Sequence, residues 1–346
     1  MEFSAGALGS PLLTGGIVIG LASGVALERS KFCMVAALSN FVLMRDLRQV
    51  QAWLAALAVA IAGTAWLEAS GLVAVAESGY RATRLDWLGA AAGGLLFGLG
   101  AMLAGGCAGR TLVNAATGNL GSLLVLAVFA GAGYAMQFGP FEPLRAQLTA
   151  RTSWNLPLSD GSIAAMIGAG TEPVAGAACL VAVLFLLVAG RTSRDWRIIV
   201  AGAFIGALVV AGWWVTGDAA AFDPNATRPD SISYSGPLAR VVQGMVSGQV
   251  PGSPFGPALL AGTLLGAAAS ALVSHSFGWI RPARERLLPL AVGGLLMGIG
   301  GSLAAGCNIG HGITGLAALS LKSALAAIAI LFGMRLGLAW LAKRET

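Results

Sequence analysis

The chain has 346 residues, of which 57% are hydrophobic and 10% are charged, and its formal net charge is +6. Soluble domains carry about 25% charged residues, so this composition excludes a soluble protein and indicates an integral membrane protein. The basic residues stand singly or in short groups between apolar segments. That pattern is typical of membrane topology signals, and it excludes a nucleic-acid-binding protein.

The apolar segments, taken in chain order, predict nine membrane spans, because a spanning helix needs about 20 apolar residues. The predicted spans are residues 11–28, 50–70, 86–104, 120–138, 172–190, 196–216, 255–274, 287–305 and 319–341. Four shorter apolar pieces lie between them, at 31–44, 106–118, 238–250 and 306–318. These pieces are too short to cross a bilayer, so we expect short re-entrant helical loops there.

An internal repeat relates the two halves of the chain. Residues 93–107 and 293–307 are identical at ten of fifteen positions without a gap, and both end in Gly-Cys. An odd span between two four-span units would invert the second unit, as in many transporters. The prediction is therefore an all-α integral membrane protein, an inverted-repeat helical bundle. Its parts are a first repeat at 1–140, an outer loop and linker span at 141–195, and a second repeat at 196–346.

Nine spans place the two termini on opposite sides of the membrane. Twelve lysines and arginines fall on the side of the C-terminus and six on the other side. The positive-inside rule then predicts a periplasmic N-terminus and a cytoplasmic C-terminus. The first eleven residues contain no Lys or Arg, so we expect the first apolar segment to be a retained span and not a signal peptide.

The glycine-rich pieces around Cys107 and Cys307 form the candidate site. Non-helical backbone at membrane depth must be buried in protein or line a water-filled path, and inverted pieces enter from opposite sides. Loop amides and helix N-termini offer donors to an anion, and a thiol adds a weak donor and a polarizable sulfur. No carboxylates cluster there, which argues against a cation site. Cys33, on a third short piece, is expected to line the same path nearer one mouth.

The predicted substrate path combines thiols, loop glycines and polar or basic side chains. Its residues are Cys33, Cys107, Cys307, Gly106, Gly109, Arg110, Thr111, Asn119, Gly306, Asn308, Gly310, His311 and Lys322. Each group of side chains also has a structural alternative. The three cysteines could pack in tight glycine turns, the two basic side chains could extend towards the membrane surface, and the histidine could have a structural role.

Two further points concern the cysteines. Cys179 has only apolar neighbours and is expected to be a small core residue. Three thiols and one imidazole also form a plausible soft-metal set, yet only Cys307 and His311 are close in sequence. The sequence therefore predicts neither a metal site nor a cofactor.

The motifs "RSKFC", "GGCAGRTLVNAATGNLGSL" and "AAGCNIGHGITGLAALSLKS" resemble the YeeE/YedE family of sulfur-compound transporters, over about residues 11 to 342. The resemblance implies an hourglass-shaped inverted-repeat protein that imports thiosulfate through the bacterial inner membrane. It also implies that Cys33, Cys107 and Cys307 exchange S–H hydrogen bonds with the passing dianion. Family members often work with a small TusA-like sulfurtransferase on the cytoplasmic side, which here is expected to be a separate chain.

The predicted function is thus a transporter and not an enzyme. One alternative is a carrier of selenium or other sulfur oxyanions. Another, of a different class, is a membrane thiol enzyme or sensor that accepts sulfane sulfur, because thiolates are nucleophiles.

Overall fold

The computed structural model describes residues 10–189, 195–220, 228–249 and 252–345, and helices dominate this part of the chain. Helices α1 to α7 are Pro11–Ser30, Met34–Met44, Arg48–Ala69, Trp87–Leu103, Ala108–Ala116, Leu120–Gln137 and Glu142–Thr152. Helices α8 to α14 are Ile163–Met166, Thr171–Ala189, Trp196–Ala220, Ser235–Ser247, Phe255–Val273, Arg284–Ala304 and Leu321–Glu345. Strands β1 (Arg84–Asp86) and β2 (Ser153–Asn155) pair antiparallel. The predicted all-α class is confirmed.

Eight helical segments in the described residues are long and apolar enough to cross a membrane. They are Pro11–Met44, Arg48–Ala69, Trp87–Ala116, Leu120–Gln137, Trp196–Gly217, Phe255–Val273, Arg284–Ala304 and Leu321–Lys343. The remaining predicted span, 172–190, corresponds to α9 at Thr171–Ala189. Residue 190, the end of that predicted span, lies outside the described residues. A count of nine crossings stays a prediction.

Each of the four short apolar pieces contains a short helical element. Helices α2, α5 and α11 occupy three of them, and a π-helical turn at Gly310–Gly315 occupies the fourth. Helix α11 begins at Ser235, three residues before the predicted piece. The prediction missed these three residues because Ser-Gly-Pro, at 235–237, is not an apolar sequence. Residue 250, the predicted end of that piece, is outside the described part of the chain.

Glycines let α4 and α13 cross at close range. A Cβ atom at Gly93 would lie 2.5 Å from the backbone nitrogen of Ala304, and one at Gly293 would lie 2.7 Å from that of Ala104. Only a residue without Cβ allows two backbones to approach so closely. This crossing places the two Gly-Cys sequences, which directly follow the helices, beside each other.

The helix packing of the first half has counterparts in the second half. Helix α1 packs on α12 and α10 packs on α3, while α4 packs on α14 and α13 packs on α6. The ends of α4 and α13 also match, because Gly105 and Ala305 both adopt left-handed backbone, with φ of 70° and 63°. Helix α9 lies outside this scheme and packs against α3.

Candidate functional site

Each of the three cysteines predicted on the path directly precedes a short helical piece. Cys33 is the N-cap residue of α2, Cys107 is the N-cap residue of α5, and Cys307 precedes the turn that leads into Gly310–Gly315. In all three, the cysteine carbonyl accepts the amide hydrogen four residues on, at 2.8 to 2.9 Å. The local sequence thus places three thiols at helix N-termini, where backbone donors and the helix dipole favour negative charge.

The structure brings these thiols, distant in sequence, into one cluster. The thiols of Cys33 and Cys107 lie beside each other, and the Asn308 side chain lies beside the Cys107 sulfur. The Gly310 amide donates to the Cys307 sulfur at 3.4 Å. All three cysteines are buried and free of disulfide bonds. Cys33 therefore lies beside Cys107, and its position nearer one mouth of the path stays a prediction.

Asn308 is the most informative polar group in this cluster. Its side chain is fully buried, and neither the amide oxygen nor the amide nitrogen makes a hydrogen bond of good geometry to the described residues. A buried amide without hydrogen-bond partners lowers the stability of the folded protein by about 1–3 kcal/mol. The hydroxyl of Ser235, at the start of α11, is also buried, and it has no hydrogen-bond partner among the described residues. Both groups can form hydrogen bonds to a polar ligand that enters the cluster.

Two tyrosines complete the walls of the site, and sequence reasoning did not place them there. Tyr234 is the N-cap residue of α11 and is completely buried, with its hydroxyl 3.4 Å from that of Thr263. Tyr80 and Ser233 lie against Gly310, since a Cβ there would be 3.4 Å and 2.8 Å from their hydroxyl oxygens. The position of Tyr234 could have indicated its place in the site. Tyr234 directly precedes α11, just as Cys33 directly precedes α2.

His311 is held by hydrogen bonds at both ring nitrogens. Nε2 lies 3.1 Å from the carbonyl oxygen of Ala304, and Nδ1 lies 3.0 Å from the Ser323 hydroxyl. Because a carbonyl only accepts, Nε2 carries the proton, and Nδ1 accepts from the serine. A Cβ at Gly306 would lie 2.5 Å from Nε2. The neutral ring therefore braces the second re-entrant piece against α14.

A π-helical turn distinguishes this second piece from the first. Cys307 follows Cys107 by 200 residues, whereas Ser320, which caps α14, follows Asn119, which caps α6, by 201. The turn at Gly310–Gly315 absorbs the extra residue. Such turns occur frequently at functional sites.

Four other predicted path residues belong to the first re-entrant piece, in or directly before α5. Gly106 and Thr111 brace the first re-entrant piece, with the Thr111 hydroxyl donating to the Gly106 carbonyl at 3.5 Å. Gly109 allows Ile309 to pack close, since a Cβ there would be 2.9 Å from its Cδ1. The Arg110 guanidinium donates to the carbonyl of Leu27 at 3.4 Å.

Asn119 and Cys179 lie apart from the thiols. Asn119 lies beyond the C-terminal end of α5, where its side chain accepts the Ser122 amide hydrogen. Cys179, on α9, lies 3.7 Å from the Ala58 carbonyl of α3. Within the described residues, no group of three or more His, Cys, Asp or Glu could hold a metal ion.

Comparison with known sequences places this arrangement in a family. A profile of the Sulphur transport family matches residues 29–336, a range that includes all three clustered cysteines. The chain belongs to the Sulphur transport family. This confirms the resemblance to YeeE/YedE proteins.

Two relatives of the family match the chain over almost its full length. The thiosulfate transporter TsuA of Spirochaeta thermophila is 30% identical over 337 residues, which cover 92% of this chain and 96% of that protein. The thiosulfate transporter TsuA of Escherichia coli (strain K12) is 26% identical over 345 residues, 93% of each chain.

Proposed function

We propose that the protein imports thiosulfate through a central path on which Cys33, Cys107 and Cys307 act as hydrogen-bond donors. The observation that carries the proposal is the buried thiol cluster at helix N-termini, beside the unsatisfied amide of Asn308. Membership of the Sulphur transport family and two full-length relatives named as thiosulfate transporters support the substrate. The protein acts as a transporter and leaves the anion intact.

The matched helix pairs support an inverted repeat with units at 1–140 and 196–346, joined by the segment 141–195 that contains α9. In this arrangement the short pieces enter from opposite faces and meet at the midplane of the lipid bilayer. The distribution of basic residues supports insertion in the bacterial inner membrane, with a periplasmic N-terminus and a cytoplasmic C-terminus.

Transfer of a bare anion into apolar surroundings costs tens of kcal/mol in the Born limit. The interaction of the anion with one helix N-terminus stabilises it by only about 0.3–2 kcal/mol. Several donors must therefore converge on the dianion. The Cys33 and Cys107 thiols, at the N-termini of α2 and α5, lie beside each other, and Tyr234, which caps α11, lies against Gly109 of α5.

The thiols suit passage because their contacts are weak and adaptable. On arrival, an oxygen or the terminal sulfur of thiosulfate replaces the S–H···S contact between Cys33 and Cys107 and accepts the thiol hydrogens. No covalent bond forms or breaks, and each proton stays on its sulfur. Weak contacts in series let the anion leave as readily as it enters.

The family resemblance extends the proposal to a separate TusA-like sulfurtransferase that receives sulfur on the cytoplasmic side. The alternative is that the protein carries selenium or other sulfur oxyanions, which would bind to the same hydrogen-bond donors.

Growth tests the proposal. Cells that cannot use thiosulfate as sole sulfur source should grow when they produce this protein, and Cys107→Ala or Cys307→Ala should abolish that growth. Cys179→Ala is the matched control and should leave growth intact. Mass spectrometry of protein taken during turnover should show unmodified thiols. A persulfide on Cys107 or Cys307 that forms and decays at the turnover rate would instead identify a thiol enzyme.

A further inference from the structure

The segments that directly follow the two re-entrant pieces are held by the same pattern of backbone hydrogen bonds. After the first piece, the Gly118 carbonyl accepts the Ile280 amide hydrogen at 3.1 Å, and the Leu120 amide donates to the Ile280 carbonyl at 3.0 Å. The corresponding residues after the second piece lie 201 positions later in the chain. Their bonds join Leu319 to Ile163 at 2.8 Å and Leu321 to Gly161 at 3.0 Å.

One bond in this pattern differs between the two pieces. The Thr117 carbonyl accepts an ordinary backbone hydrogen, from the Gly278 amide at 3.2 Å. The corresponding carbonyl after the second piece, that of Ala318, accepts instead from the guanidinium Nε of Arg81 at 2.6 Å. A charged donor forms a stronger hydrogen bond than a neutral amide does. Because the first piece is held there by an amide, the fold itself does not require a charged donor at this position.

Arg81 is in turn fixed by two carboxylates from other parts of the chain. Its side chain is only 2% exposed, and Nη1 and Nη2 donate to the two oxygens of Glu68, in the last turn of α3, at 2.5 and 2.8 Å. Nη1 also lies 3.4 Å from Oδ2 of Asp160, whose Oδ1 accepts from the Ser162 amide and hydroxyl at 3.0 and 2.6 Å. A planar guanidinium bonded in this way has a fixed position and direction.

Tyr80, the residue before this arginine, connects it to the thiol of the second piece. The Tyr80 carbonyl accepts the Ser320 hydroxyl hydrogen at 2.6 Å. The Tyr80 ring packs against both ends of the π-helical turn, since a Cβ at Gly310 would lie 3.4 Å from its hydroxyl oxygen and one at Gly315 would lie 2.9 Å from its Cδ1. The Gly310 amide donates to the Cys307 sulfur at 3.4 Å. Residues 80 and 81 therefore hold the turn next to this sulfur.

We propose that Arg81, fixed by Glu68 and Asp160, is a positioning residue that keeps the second re-entrant piece in place and thereby holds Cys307 on the substrate path. This inference rests on the proposed transport function. Arg81 acts through the backbone of the second piece and makes no contact with the anion. Within the described residues, no ion pair involves residues 106–120 of the first piece. Loss of the arginine should therefore loosen the second piece alone.

Alkylation of the purified protein by N-ethylmaleimide, measured for each cysteine by mass spectrometry, tests this hold without a transport assay. Arg81→Lys keeps a cation beside the carboxylates, but lysine lacks the rigid fork that bonds Glu68 and the Ala318 carbonyl together. Cys307 should react about ten- to a hundredfold faster in this variant, the change expected when a hydrogen bond to a charged group is lost. Cys33 should react at an unchanged rate, because its piece is held independently.

Arg84→Lys is the matched control. Arg84 lies in the same outer segment, but it is exposed and donates to the Ser153 hydroxyl at 2.6 Å. Its replacement should leave both alkylation rates unchanged. Melting curves should confirm that each variant is folded, and uptake per folded protein should be slower for Arg81→Lys than for Arg84→Lys.

The possible results separate this inference from the proposed function. An unchanged Cys307 rate in folded Arg81→Lys would overturn the positioning role, as would equal acceleration of Cys33 and Cys307, which general loosening of the protein would produce. Faster Cys307 alkylation with undiminished uptake would overturn the role of Arg81 in transport. If the unmodified protein transports no thiosulfate but Arg81→Lys selectively exposes Cys307, the hold on the second piece is kept and the transport proposal is rejected.

Discussion

Replacing Asn308 with leucine should make the protein more stable and less active. The two side chains have the same number of heavy atoms and similar shape, so the cavity around residue 308 stays filled. The exchange removes a fully buried amide whose oxygen and nitrogen both lack good hydrogen-bond partners in the described structure. Each unsatisfied group of this kind costs about 1–3 kcal/mol, and the variant should be more stable by a similar amount.

Transport should change in the opposite direction. A hydrogen bond from an amide to a dianion contributes about 1.5–3 kcal/mol, so the thiosulfate concentration for half-maximal uptake should rise about ten- to a hundredfold. The assays are thermal unfolding in detergent and uptake into vesicles.

Thr314→Val is the matched control for Asn308→Leu. The Thr314 hydroxyl is equally buried on the same re-entrant piece, but it donates to the Ile232 carbonyl at 2.8 Å. Its removal leaves that carbonyl unsatisfied, so Thr314→Val should lower stability. An Asn308→Leu protein that melts earlier than the unmodified protein and transports normally would refute the assignment of Asn308 to the path.

One further substitution probes the second re-entrant piece. Gly306→Ala should lower the melting temperature and uptake, because the new Cβ would lie 2.5 Å from His311 Nε2 and displace the ring. Gly131→Ala, whose new Cβ would meet nothing within 4 Å, should be neutral or stabilising.

Equal melting temperatures for Gly306→Ala and Gly131→Ala would contradict close packing of the imidazole.

Much of the fold could be predicted from the apolar pattern, because the bilayer demands long apolar helices. The prediction of 86–104 corresponds to α4 at Trp87–Leu103, and the prediction of 50–70 corresponds to α3 at Arg48–Ala69.

The candidate site could be predicted only in part. Unusual residues in an apolar chain indicated Cys107 and Cys307, and the repeat suggested that these two would meet. Cys107 lies beside the Cys33 thiol, and the Asn308 side chain of the second piece lies beside Cys107. Such pairings depend on helix crossings and on the one-residue π-helical insertion, which no local pattern specifies.

Uptake of sulfur-labelled thiosulfate into sealed vesicles most directly tests whether the buried thiols form the path. The unmodified protein and Cys179→Ala should accumulate label at the same rate, whereas Cys33→Ala, Cys107→Ala and Cys307→Ala, inserted in equal amounts, should each fall to the level of empty vesicles. Full uptake by all three of these variants would contradict a path through the thiol cluster.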